Sequence, residues 1–503
     1  MSKRMRVLML VLAVLMIVPS ILVGCGGSED PATTTEATTA ATTAGTTAGT
    51  TAGTTAGTTA GTTAGTTEAT TPAETGLGGY EFLMNVQFYS GIRSELGEGE
   101  EETSLMTEVF DIYAQIEEEL DCTITCVTMD NSTEALLPAS VGGIKLADFI
   151  CTRQSTWIPL AMMGGIRPLD SMVEAGLDLY NEDVFNQVYT MMSEIEGPDG
   201  VKHVWAFDMT GKYENTRLGH FYAFNRALTD AAGYPAEKLF DAVRNGEWDY
   251  EMMLEIGRAT TKDLDGDGEF DQWGLALDAD GNEIWTNGIR FIEYSTTEGK
   301  WVSNANHPQI MPALQFMSDI SQADMQIPVF GNTVGRGDRR QLFWQGKCAF
   351  AGLYGSNIMG DENREMAGNG LWGALPLPKG PDADNYIICM VDLDTFVCQV
   401  ANQDWEKSVQ VINKIGAALT DWDEFKEQML VDIAGDEDSA EMLLDYAVPN
   451  AIMNIAKCSD EMYQITRKRG FFSNIYELVL TPAAAAETWQ DVIQAELDNV
   501  FQQ

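Results

Sequence analysis

The spacing most suggestive of chemistry is the run DLDGDGEFD at Asp263–Asp271. Asp263, Asp265 and Asp267 stand at the first, third and fifth positions of a calcium loop. Gly268 supplies the turn at the sixth, and Glu269 and Asp271 add carboxylates. The twelfth position is Gly274, not the glutamate that would close such a loop, and the segment joins an expected helix to an expected strand. That does not fit an EF-hand. Two readings stay open, a structural Ca2+ loop and a plain Asx/Gly turn. Catalytic constellations are sparse. Three histidines (His203, His220, His307) are scattered along the chain, and no Gly-x-Ser-x-Gly, Gly-Lys-Ser/Thr or zinc-spaced CxxC occurs. Two carboxylates suffice for glycoside hydrolysis, but among 76 acidic residues such pairs arise by chance.

The elements that would position these residues alternate. Tyr80, Phe82, Met84, Val86 and Phe88 recur at every second residue, which predicts a strand. Ser104 is placed to cap a helix whose Leu105, Val109, Ile112, Ile116 and Leu120 share one stripe. The run CTITCVTM predicts a β-branched strand, a helix follows, and LADFIC predicts the next strand. This β-α-β-α-β order implies an α/β fold with a mainly parallel sheet. Later helices are predicted at 404–419 and at 482–501, the second capped by Thr481 with Pro482 in its first turn.

The N-terminus carries Lys3, Arg4 and Arg6 before an apolar run from Val7 to Val18, the layout of a signal peptide over residues 1–24. Leu22-Val23-Gly24-Cys25 then resembles the lipobox of bacterial lipoproteins, which implies a lipid on Cys25. Six copies of Thr-Thr-Ala-Gly fill Thr42–Gly65. With nothing bulky to bury, residues 25–78 are expected to form a disordered tether with a reach of roughly 40 Å. The charge balance, 30 basic against 76 acidic residues, argues against nucleic-acid or anionic-polymer partners. Seven cysteines remain beyond Cys25. Most are expected as buried thiols, with disulfides left open for an exported chain.

Several motifs, in order, resemble the carbohydrate-type extracellular solute-binding proteins of ABC importers, the maltose-binding-protein-like group. They are LADFICTRQSTWIPLAMMGGIRPLD, HFYAFNRALTDAAGYP, GEWDYEMMLEIGRATTKDLDGDGEFDQWGLA, LFWQGKCAFAGLYGSNI, GALPLPKGP and TPAAAAETWQDVIQAEL. The resemblance covers nearly all of Gly79 to Gln503. It implies a two-lobed, periplasmic-binding-protein-like α/β fold (type II), its lobes joined by crossover hinge segments. The N-lobe would take 79–203 plus 378–447, and the C-lobe 204–377 plus 448–503. Crossings are expected near Lys202–Asn225, Leu375–Gly380 and Val448.

The resemblance further implies no required cofactor and no catalysis. The expected partners are a carbohydrate ligand of oligosaccharide size, the transmembrane permease subunits, and the membrane through the lipid anchor. The protein would be a monomer on the extracellular face of a bacterium lacking an outer membrane. Sugars offer apolar C–H faces and many hydroxyls, so their sites pair aromatic platforms with planar polar groups at strand ends. On that chemistry the expected ligand residues are Tyr89, Arg153, Gln154, Trp157, Asn282, Glu283, Trp285, Tyr354 and Phe472. Trp205, Trp248, Trp344 and Trp489 are assigned to the scaffold. A surface glycan-binding protein without a transport role and an anchored glycosidase are the alternatives.

Overall fold

The computed structural model describes residues 76–96, 103–209, 211, 218–277, 280–327, 336–357, 370–432, 436–468 and 470–502. The leader, Cys25 and the Thr/Ala/Gly tether lie outside the described residues. Among the described residues no helix is long and apolar enough to cross a membrane.

Two sheets organise the body. The first has five strands in the order Cys122–Val127, Tyr80–Asn85, Phe149–Arg153, Asp394–Gln399, Ile166–Arg167. Its first three are parallel, and Asp394–Gln399 runs antiparallel with Asp394 opposite Arg153. The alternation read in the sequence is real here: Tyr80, Phe82 and Met84 are buried while Glu81 is exposed. The following helix, Ser104–Leu120, is capped by Thr103, which accepts from the Met106 amide, one residue earlier than expected. Its Val109, Ile116 and Leu120 are buried, and Leu105 stays exposed. Asp148 binds this layer together. Its carboxylate receives Lys145 Nζ at 2.9 Å, the Leu83 amide at 2.8 Å and Ser408 Oγ at 2.5 Å, along with the Tyr80 hydroxyl.

The second sheet has four strands in the order Trp372–Leu375, Phe221–Asn225, Cys348–Leu353, Trp273–Ala276. Phe221–Asn225 is antiparallel to both neighbours, while Cys348–Leu353 and Trp273–Ala276 are parallel. The C-terminal helix Pro482–Val500 is capped by Thr481, whose side chain accepts from the Ala484 amide, with Pro482 at its start. The cysteines from Cys122 to Cys458 are all buried thiols.

The first passage between the sheets falls inside the expected Lys202–Asn225 window, and the later two differ from expectation. Phe207 still bridges to Phe396 of the first sheet, and His220 bridges to Cys389 just before the second. Trp372–Leu375 is followed by Gly380 and Asp382, which bond Thr286 and Asn287 on the second-sheet side. The return therefore runs through Cys389–Met390 to Asp394, later than 375–380. The last passage falls near Thr420–Trp422 and not at Val448. Helix Trp405–Leu419 packs with the first sheet, whereas Ser439 in Glu437–Leu444 accepts from the Ala374 amide of the second at 2.8 Å. Amphipathic helices of either lobe look alike in sequence, so the boundary at 447 had no local signal.

Candidate functional site

A continuous run of polar and aromatic side chains links the strand ends of the two sheets. On the first sheet, Arg153 ends the Phe149–Arg153 strand, and Phe88 follows the Tyr80–Asn85 strand. The Arg153 guanidinium lies 4.3 Å from the Phe88 ring centroid, and its Nε donates to Asp394 at 2.9 Å. Burial works against the charged guanidinium, but Asp394 and Asp392 outweigh it and hold its pKa above the ordinary value. From Asp394 the run reaches Asp392, whose carboxylate pairs with Lys457 at 2.6 Å. Lys457 Nζ sits 4.5 Å over the Tyr463 ring. Arg467, one helical turn on, bonds the Tyr463 hydroxyl and pairs with Asp280.

Asp280 belongs to the loop after the Trp273–Ala276 strand of the second sheet. It accepts from Tyr354 Oη at 2.8 Å, and Tyr354 Oη accepts from Asn282 Nδ2 at 3.2 Å. Tyr354 follows the Cys348–Leu353 strand and lies 5.0 Å from the His220 ring, with the Arg340 guanidinium 5.8 Å from its centroid. The tyrosine's backbone amide is fixed by Asn357 Oδ1 at 2.9 Å. Loops beyond the carboxyl ends of strands are where open α/β sheets bind ligands.

The expected residues divide into three groups. Arg153, Asn282 and Tyr354 stand in this run. Tyr89, Gln154 and Glu283 support it from behind. Tyr89 Oη lies 2.5 Å from Asp208 and 3.0 Å from the Asp394 carbonyl. Gln154 clamps the crossover, donating to Val391 O at 2.5 Å and accepting from Leu393 N at 2.6 Å, which aims Asp392 and Asp394. Glu283 accepts from Tyr222 and Tyr476, each at 2.8 Å. Burial pushes its carboxyl pKa up, and both tyrosines are pushed well above their usual value, burial again leading.

Trp157, Trp285 and Phe472 were expected as platforms and are buried in an apolar cluster; Trp157 and Phe472 are thereby corrections, while Trp285 also lines two cavities, beside Arg290 and beside Asp382. Trp157 is 0% exposed and Trp285 3% exposed, packed edge-on to Phe291 at 6.0 Å. Phe472 lies against Gly281, where a Cβ would come within 2.5 Å of its ring. Gly281 takes a positive φ of 73° to start the turn Asn282–Trp285, so a side chain there is excluded twice. Large aromatic rings cover more area in the core than in any cleft, which is why they were drawn inward.

Sequence reasoning missed Phe88, Asp280, His220, Arg340, Asp392, Asp394, Lys457, Tyr463 and Arg467. Asp280 sits two residues before the expected Asn282, in the same loop. Arg467 lies in the π-helical turn Gln464–Lys468, a local widening of the kind frequent at functional sites and invisible in residue periodicity.

Away from this run, Asp263, Asp265 and Asp267 bring carboxylate oxygens within 4.8 Å of one another, all three exposed. Gly266 and Gly268 amides donate to Asp263 at 2.6 and 2.9 Å and hold its pKa below the ordinary value. Asp271 accepts from the Leu264 amide at 2.8 Å. Glu269 contributes its amide to Asp267 at 2.9 Å, and its carboxylate is not in the cluster.

No known family profile matches the sequence, and no curated relative does. Solved structures match along most of the body. An uncharacterized protein from Listeria monocytogenes superposes with TM-score 0.56 at 14% identity, covering 83% of this chain and 99% of its own. The cyclic alpha-maltosyl-1,6-maltose binding protein from Arthrobacter globiformis gives 0.54 at 13%, covering 84% and 100%. An ABC substrate-binding protein from Listeria monocytogenes in complex with cycloalternan gives 0.51 at 13%, covering 83% and 99%. The fold is thus the two-lobed, periplasmic-binding-protein-like α/β fold.

Proposed function

We propose that this protein is the substrate-binding component of an ABC importer, which captures a carbohydrate between its lobes and hands it on unaltered. The observation that carries the reading is the run from Phe88 and Arg153 to Tyr354, because it places polar and aromatic groups at the strand ends of both sheets. A ligand touching both lobes favours the closed arrangement by its differential contacts, which is what hinge closure requires. The ligand is of oligosaccharide size, the permease subunits receive it, and the lipid on Cys25 holds the binding protein beside them through the Thr/Ala/Gly tether. The lipobox in register with the apolar leader supports that anchor.

Calorimetry and intrinsic fluorescence with a panel of oligosaccharides test the reading, run beside chromatography of the same mixtures. Binding with every sugar recovered intact is expected. Release of shorter sugars would instead establish the glycosidase alternative. For the anchor, Cys25→Ala should move the protein from the membrane to the soluble fraction, and incorporation of labelled fatty acid into that variant would defeat the assignment.

A further inference from the structure

The aromatic rings of the cleft are unusual platforms for a neutral sugar. Among the described residues, each carries a cation over its face: Arg153 over Phe88 at 4.3 Å, Arg340 over Tyr354 at 5.8 Å, and Lys457 over Tyr463 at 4.5 Å, with Arg467 5.4 Å from the same ring. A sugar stacking on the face that a cation covers would have to displace it, whereas an oxyanion would meet it.

The chain holds 30 basic against 76 acidic residues, yet the run described above brings four cations together with three carboxylates, Asp280, Asp392 and Asp394. Each of those carboxylates is already matched to a cation: Asp280 to Arg467, Asp392 to Lys457, Asp394 to Arg153.

Arg153 has capacity left. Its Nε is bound to Asp394, its plane rests on Phe88, and the side chain remains 42% exposed. Its terminal nitrogens make no hydrogen bond among the described residues. A guanidinium fixed at Nε and stacked on a ring presents its remaining N–H groups as a fork, the geometry that binds a carboxylate or sulfate through two parallel hydrogen bonds. We infer that the cleft takes an anionic saccharide and that Arg153 reads its oxyanion. This inference rests on the carbohydrate reading above and narrows it.

The test titrates the full-length protein with trigalacturonate, its methyl ester, a sulfated disaccharide and neutral maltotriose. At least one of the two anionic sugars binds about ten-fold or more tightly than the ester and maltotriose. Which anionic sugar prevails tells carboxylate from sulfate. Arg153→Lys keeps the charge without the fork, and it should erase most of the preference while melting at the parent temperature. Arg153→Gln should erase all of it. Equal or tighter binding of the ester or maltotriose would overturn the inference and leave the carbohydrate reading standing, as would a full preference retained in Arg153→Lys. Failure of all four sugars to bind would overturn both.

Discussion

The two walls of the proposed cleft are built to different plans. The wall on the second sheet is densely bonded: Asp280 faces Arg467 and Tyr354, Asn282 Nδ2 bonds Tyr354 while its Oδ1 is buried without a hydrogen-bond partner among the described residues, and Glu283 behind them holds two tyrosines. The wall on the first sheet is thinner, one exposed guanidinium stacked on Phe88 and tied to Asp394. A dense hydrogen-bond network gives a ligand a fixed surface. An open fork gives little stability to the empty protein and keeps its donors for the ligand. In the proposed function the second wall would set shape and the first would read charge.

Behind each wall stands a buried tryptophan, and there the walls should not differ. Trp157 lies in the helix after the Phe149–Arg153 strand, and Trp285 ends the turn beyond the Trp273–Ala276 strand. Trp157→Ala and Trp285→Ala should each lower unfolding free energy by about 3–5 kcal/mol, read by denaturant melts. A variant that melts normally but loses ligand would place its tryptophan in the cleft after all.

These tryptophans show how much was legible. Strand alternation from Tyr80, the Thr481-Pro482 helix start and the order of elements were readable because each depends on neighbours in sequence. Arg153 ends a strand, Tyr354 follows one directly and Asn282 lies in the loop after one, so their place near strand ends was readable. The pairs Asp280–Arg467 and Asp392–Lys457 were not, because each joins residues far apart in sequence, and among so many carboxylates nothing marks which two are partnered. Trp157 was misplaced because an aromatic side chain carries the same residue type in a core and in a sugar site. The passage near Thr420 escaped because helix Trp405–Leu419 and helix Glu437–Leu444 are both amphipathic, and only packing tells their lobes apart.

Removing one carboxylate from each wall sharpens the comparison. Asp280→Asn takes the charge partner from an Arg467 side chain that is only 15% exposed. A hydrogen bond to a charged group there is worth about 1.5–3 kcal/mol, so affinity should fall on the order of ten- to 150-fold. Asp394→Asn acts on a guanidinium 42% exposed, where screening holds the pair to about 0–1 kcal/mol, within roughly five-fold. Calorimetry on both variants checks the ratio, and equal losses would mean that the walls share one plan.

The aromatic rings give a smaller contrast. Tyr354→Ala removes a ring, its bond to Asp280 and the acceptor of Asn282, for about 1–3 kcal/mol of affinity. Phe88→Ala releases Arg153 from its stack, an exposed contact of about 0.5–1 kcal/mol. If Phe88→Ala proves the costlier, orientation of the fork outweighs the built wall.

The smallest effect is expected where carboxylates lie outside both walls. Asp263, Asp265 and Asp267 already accept amides of their own turn, so the loop keeps its form through Asx bonds, and calcium would add only the increment set by its concentration over its dissociation constant. That increment is spread over a large cooperative body, in which one kcal/mol moves the midpoint by only about 2 °C or less. Chelator should therefore lower the melting temperature by about 2 °C or less and leave sugar affinity unchanged. An untouched melt together with no heat on adding calcium would leave the Asx turn as the whole account of DLDGDGEFD. Loss of sugar binding on chelation would instead tie the loop to the Trp273–Ala276 strand that it precedes, and through Asp280 to the wall that sets the shape of the cleft.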